Sequence, residues 1–327
     1  MDPIISHYLS SLEFGEVKVF QNMGVIPLYT SVNHGPQYLT LQEALEKRLL
    51  TITEVSQGGS VPELKVVNRA EIPVLLLDGE ELAGAKQNRV LNTTILLKEN
   101  SETIIPVSCT EQGRWAYSSM AFGASGNVMH REGRMRKVAS VSRSLKEGFA
   151  YRSNQAEVWE GVAYFSMEAG VSSPTGAMRD VFESKRDDLK GYLDAFPYAS
   201  DQRGIFVLVN GKAVGFDLLS NPHAYEVLHQ KIVKSYAIDA LLRKSKKITQ
   251  IPSVDQARTF IQIASQCEEK RYESIGYGWD HRFEGKTMVG SSLVYQEKVI
   301  HMAFFRKDES ERGGTLSSLS HRRRFRL

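Results

Sequence analysis

Leu75-Leu76-Leu77-Asp78-Gly79-Glu80-Glu81-Leu82-Ala83-Gly84-Ala85-Lys86-Gln87-Asn88-Arg89 is the stretch on which the reading of this chain turns. Its three leucines lack the alternation of a half-solvated strand and predict a strand buried on both faces. The carboxylates that follow are therefore expected to leave the core at a sheet end or rim. On a strand Asp78 and Glu80 share one face, where they can hold a divalent cation or divide acid and base roles, because each raises the other's pKa. Past the small Gly84-Ala85 pair, where a ligand can approach the backbone, Lys86 and Arg89 offer cations for phosphate or carboxylate. Gln87 and Asn88 offer amides that orient hydroxyls or a ring edge. The bland alternative is a solvated turn whose cations pair with Glu80 and Glu81.

A second block has the same form: Pro106-Val107-Ser108-Cys109-Thr110-Glu111-Gln112-Gly113-Arg114-Trp115 runs from apolar residues into polar groups, a glycine and an aromatic. Cys109 becomes a nucleophile if a cation such as Arg114 lowers its pKa, with Glu111 as acid or base, although an isolated cysteine is more commonly a small buried hydrophobe. Arg114 and Trp115 suit a clamp on a ring system. The candidate catalytic residues are thus Glu80, Glu81, Cys109 and Glu111. The candidate ligand-binding residues are Lys86, Gln87, Asn88, Arg89, Arg114 and Trp115, and a divalent cation, if one is used, belongs on Asp78 and Glu80. All three clusters are expected to line one cleft at the end of the N-terminal sheet.

Outward from these blocks the pattern is β-rich, with strands expected at 51–55, 63–67, 74–77, 90–97 and 103–107, preceded by strands at 17–20 and 25–29 and a helix over 40–50. The Ser- and Gly-rich, then basic, residues 116–151 read as a linker leading into a helix from Arg134 to Leu145. Beyond it helices are expected at 155–168 and 177–196. Asn210-Gly211 joins two β runs as a hairpin, Asn221-Pro222 opens a helix reaching Arg243, a helix follows over 255–267, and a β meander closes the chain. The class is α+β. A mainly β domain (sandwich or partial barrel) with a packed helix, residues 1–117, precedes a linker and basic helix, 118–150, an α+β domain, 151–310, and a basic tail, 311–327.

The 327 residues carry a formal charge of +3, too little for this length to make nucleic acid the expected partner. Two cysteines, Cys109 and Cys267, show no metal-ligand spacing, and no run approaches the length of a membrane span, so a soluble, cytoplasmic protein is expected. The histidines are scattered, and no Walker loop, dinucleotide fingerprint or Gly-x-Ser-x-Gly elbow is present.

The run Leu77–Arg89, followed by Ile105–Trp115, resembles the ADP-ribosylglycohydrolase and rhodanese-phosphatase associated protein domain family. That resemblance implies a role in NAD or ADP-ribose metabolism and brings no catalytic assignment with it. The expected function is an enzyme acting on an ADP-ribose-like or other phosphorylated nucleotide metabolite, by hydrolysis or group transfer. The rival is a non-catalytic sensor of such a small phosphorylated molecule, or an assembly protein whose polar clusters tie its own parts together.

Overall fold

The computed structural model describes residues 1–32, 35–243 and 251–307; the expected basic tail lies outside the described residues. Pro3–Ser10 (α1) begins on Asp2, whose side chain accepts from the Ile4 N–H at 2.9 Å. Glu13–Phe14 (β1), Lys18–Phe20 (β2), Met23–Tyr29 (β3) and Leu39–Thr40 (β4) lead to Leu41–Glu46 (α2), which starts on a capping box between Thr40 and Glu43. Seven strands follow in close order: Leu50–Glu54 (β5), Glu63–Asn68 (β6), Val74–Leu76 (β7), Glu80–Gly84 (β8), Arg89–Leu91 (β9), Ile95–Leu97 (β10) and Ser101–Cys109 (β11).

The expected linker contains a further strand, Phe122–Val128 (β12), before Arg131–Lys146 (α3) and Gln155–Ala169 (α4). The helix expected over 177–196 is two, Met178–Ser184 (α5) and Arg186–Ala195 (α6). Gly204–Val209 (β13) and Lys212–Leu219 (β14) form the hairpin about Asn210-Gly211, with Asn210 at φ 51° as its turn requires. Pro222–Leu242 (α7) is capped by Asn221, whose side chain accepts from His223 and Ala224. Val254–Ala264 (α8), Glu268–Glu273 (β15), Trp279–Glu284 (β16), Met288–Tyr295 (β17) and Lys298–Arg306 (β18) complete the described chain.

Strands β12-β8-β9-β11-β6-β5 make a six-stranded antiparallel sheet that curls into a half-barrel, and its two edge strands approach one another. Strand β11 produces the curl by changing partners, Ser101–Pro106 pairing with β6 and Val107–Cys109 with β9. Helix α2 packs on β5, β7 and β12. Strand β7 lies in a separate three-stranded sheet, β10-β7-β4, where it confirms the reading of the leucines: Val74 and Leu76 join the core of the half-barrel, while Leu75 and Leu77 join a central core with α3 to α7.

The nine-stranded sheet runs β1-β3-β13-β14-β18-β17-β16-β15, with β2 also on β3. One face meets that central core, and α1 and α8 cover the other. Strand β3, from the N-terminal part of the chain, pairs in full register with β13, Met23 opposite Val209 through Leu28 opposite Gly204. A sheet therefore runs across the division expected at residue 117.

Candidate functional site

The turn that ends β7 reverses the chain within three residues, the Glu80 N–H donating to Leu77 O at 3.0 Å. Gly79 takes φ +81° there, and a Cβ on it would come within 3.0–3.2 Å of the Arg134 side chain. Both facts require glycine. The carboxylates of the turn do not leave the core as expected: Asp78, Glu80 and Glu81 are each 1 % exposed. Cations from distant helices make this tolerable. Lys137 of α3 donates to Asp78 and to Leu91 O, and Arg134 of the same helix sits 3.6 Å from Asp78 while forking onto Asp217 of β14 at 3.0 and 2.6 Å. Asp217 also accepts from Tyr236 at 2.7 Å and faces His301, whose other ring nitrogen meets Thr94 at 2.8 Å.

The helix expected as a basic lead-in is thus a buried counter-ion rod, with Arg134 fully buried and Lys137 2 % exposed. Burial opposes the charge of Asp217 and of Lys137 alike. For Asp217 the guanidinium overrides it and holds the carboxyl far below its ordinary range. For Lys137 burial prevails over Asp78 and brings the amine down to about 8.

Glu80 turns toward α7, where Lys231 donates to it at 3.2 Å. Glu81 accepts from Thr110 at 3.1 Å, with the side chains of Ser125 and Asn127 beside it, and its second oxygen has no hydrogen-bond partner of normal geometry among the described residues. Burial pushes its carboxyl up to about 7 against those polar neighbours. Ser125, Gly126 and Asn127 lie in a β-bulge, where the register of β12 against β8 slips between Ala124 and Val128. Lys234, one turn past Lys231, donates to Gly126 O at 2.7 Å, and burial together with the Lys231 charge lowers its amine to about 8.

Gly126, Lys231 and Lys234 line an open cleft of about 700 Å³ between α6, α7 and the bulge, whose other walls include Phe196, Tyr198, His229 and Gln230. Two lysines and a concave surface of ligand size coincide here, while Glu81, with its carboxyl near 7, is buried behind the bulge and not part of the lining. The lysines escaped sequence reasoning. Their signal was available, since two lysines three residues apart flank Ile232-Val233 in a helix whose apolar residues are not confined to one stripe.

The remaining candidates gather at the other side of Glu81, in the mouth of the half-barrel, where the Lys86–Arg89 and Cys109–Trp115 clusters do meet. Lys86 donates to Gln57 O and Gly58 O at 2.8 and 2.7 Å and lies over the rings of Trp115 and Tyr117. Gln87 donates to Glu111 O at 2.8 Å, and the Asn88 N–H donates to the Glu111 carboxylate at 3.0 Å. Arg114 pairs with that carboxylate at 2.7 Å and also donates to Ala85 O and Asn88 Oδ1, stitching the loop after β11 to the end of β8. Arg89 is fully buried, donating to Gln87 Oε1 at 3.0 Å, and Trp115 is 48 % exposed above it. Cys109 donates to Gln87 Oε1 at 3.0 Å; burial raises its thiol although Arg89 pulls the other way, which is unsuited to a resting thiolate. Asp78 and Glu80 lie apart from this mouth, each with a cation of its own.

One set of three carboxylate and imidazole groups lies within metal-holding reach among the described residues, Asp2, Glu269 and His281. It includes neither Asp78 nor Glu80, and Glu269 is already engaged by His281 at 2.5 Å. Among the described residues no helix is long and apolar enough to cross a membrane.

Residues 11–305 match the family model of the ARG and Rhodanese-Phosphatase-superfamily-associated Protein domain. No curated protein and no solved structure matches the chain.

Proposed function

The chain belongs to that family, and from this premise we propose that it is a cytoplasmic enzyme of NAD or ADP-ribose metabolism, acting on an ADP-ribose-like, phosphorylated nucleotide by hydrolysis or group transfer. We read the ARG of the family description as ADP-ribosylglycohydrolase. The observation that carries the proposal is the placing of Glu81, with a carboxyl near 7, beside a bulge that walls a two-lysine cleft. At about 700 Å³ the cleft falls within the range of roughly 300–1,000 Å³ usual for small-molecule sites. In this reading Lys231 and Lys234 hold the phosphates, Tyr198 and Phe196 offer faces to the base or sugar, and Glu81, buried behind the bulge of Ser125, Gly126 and Asn127 and outside the lining of the cleft, becomes the general base when that bulge opens to admit the reacting water. Glu81 takes the proton of the attacking water or acceptor hydroxyl as that oxygen bonds to one phosphorus of the diphosphate, and the bridging oxygen leaves with the other phosphate. Glu80 holds Lys231 in place.

Calorimetric titration with ADP-ribose tests the binding half. Wild type is expected to bind, and Lys231→Ala with Lys234→Ala to weaken binding by about a hundredfold, the loss of two charge-assisted contacts. Unchanged affinity in the double variant would remove the cleft from the account. A second reading, a protein whose polar clusters serve assembly alone, draws on the internal pairing of Asp78 with Lys137 and of Glu111 with Arg114. It predicts no binding at the cleft at all.

A further inference from the structure

The mouth of the half-barrel holds an arrangement that the cleft does not use. Arg89 of β9 and Glu54 at the end of β5 face each other although two strands, β11 and β6, separate theirs in the sheet, because the curl brings them together. Arg89 is fully buried and Glu54 is 7 % exposed. Arg89 Nη1 is bonded to Gln87, but Nε and Nη2, which together form the side-on fork of the guanidinium, have no hydrogen-bond partner among the described residues. Neither has either oxygen of Glu54. The closest approach of the two groups is 3.9 Å, from Nη2 to Oε1, about 1 Å beyond a direct N–H···O bond. Four charged-group atoms thus converge, buried and unpartnered, and leaving such atoms unpaired in a native interior is costly enough to need a cause.

The cover over this pair is specific. The Trp115 ring lies 5.7 Å from the Arg89 guanidinium carbon and 5.2 Å from Lys86 Nζ, and Lys86 ties it to the loop at Gln57 and Gly58. Gly59 takes φ +77°, and a Cβ there would come within 3.2–3.4 Å of Lys86, Trp115 and Glu54 Oε2 together. The loop and the indole form a roof in direct touch with the pair, and one side of that indole is in solvent.

We propose that this mouth is a second ligand site, which takes a small planar group presenting a hydrogen-bond acceptor beside a donor, a primary carboxamide, between Arg89 and Glu54 beneath Trp115. The choice follows from charge. A carboxylate would satisfy the Arg89 fork but face the Glu54 anion, and an ammonium would do the reverse. A neutral carboxamide gives its oxygen to the fork and its N–H to Glu54, and an attached ring can lie against the indole.

The test uses the full chain with benzamide, benzoate and N,N-dimethylbenzamide as probes, followed by tryptophan fluorescence and calorimetry. Benzamide is expected to bind saturably, and the other two about tenfold or more weaker, one missing or repelled hydrogen-bonding partner each. Glu54→Gln should lose benzamide affinity by a similar factor, and Trp115→Phe should cut the fluorescence response. The pair Lys231→Ala with Lys234→Ala should bind benzamide like wild type, which separates this site from the cleft. No saturable benzamide binding to the folded wild type, equal binding of benzoate, or unchanged affinity in Glu54→Gln would each overturn the proposal; in the first case Arg89 and Glu54 simply close on one another.

Discussion

Glu81 is a candidate residue whose chemistry is set by burial and not by its neighbours in sequence. Its folded carboxyl, near 7, stands above the ordinary 4.5 because it is buried. A raised acid holds its proton more tightly in the folded state, so its contribution to stability is fully present below about 4.5 and is lost as pH rises through about 7. Glu81→Gln removes that slope. Chemical denaturation should find the variant more stable than wild type by roughly 3 kcal/mol at about pH 8 and equal to it at about pH 4. A difference that does not change with pH would place Glu81 in a more polar setting than described. Asp217 has the opposite sign, its stabilisation being lost as pH falls, but it is common to both proteins and cancels. Glu81 was singled out by its neighbours in the chain; what decides its behaviour, burial opposed by Ser125, Thr110 and Asn127, comes from residues distant in sequence, beyond the reach of local pattern.

Helix α3 shows the same limit for an element. Its existence was legible, but it read only as a basic helix after a linker, since nothing local announces that Arg134 and Lys137 are the counter-ions of Asp217 and Asp78. Strand β8 was missed for the complementary reason, as two adjacent carboxylates are poor strand residues until Lys231 and Thr110 are supplied. Strand β12 was hidden by its Gly and Ser content. The hairpin at Asn210-Gly211 and the Asn221-Pro222 cap were legible because their causes are contained within a few residues. Arg134→Met strands Asp217 in the core, and equilibrium unfolding should show a loss of about 3–5 kcal/mol. Adding Asp217→Asn should recover part of it. A cost below about 1 kcal/mol for the single change would mean that α3 is not held by this network.

The molecule as a whole is built by returning the first strands to the last. Strand β3 pairs with β13, α1 packs near β18, and Asp78 reaches Arg134, while Arg134 reaches β14, so the half-barrel, the helices and the large sheet share one set of contacts. The α+β class, and a sandwich or partial barrel in its N-terminal part, were readable from strand spacing, whereas the pairing of β3 with a strand far along the chain has no local signature. A fragment of residues 1–117 carries β1 to β3 without β13, and β8 without β12. It is expected to give no cooperative thermal transition by circular dichroism; a sharp melt would show that the N-terminal part folds alone.

At this scale the proposed function rests on the cleft where α6, α7 and the half-barrel meet, with Glu81 behind its wall. Turnover of ADP-ribose by wild type and Glu81→Gln, measured beside binding, addresses that claim most directly. The account predicts that the variant binds as wild type does and is slower by about 10²–10⁴-fold, the usual worth of a general base. Turnover equal to wild type in Glu81→Gln, or a wild type that neither binds nor converts ADP-ribose-like nucleotides, would contradict it.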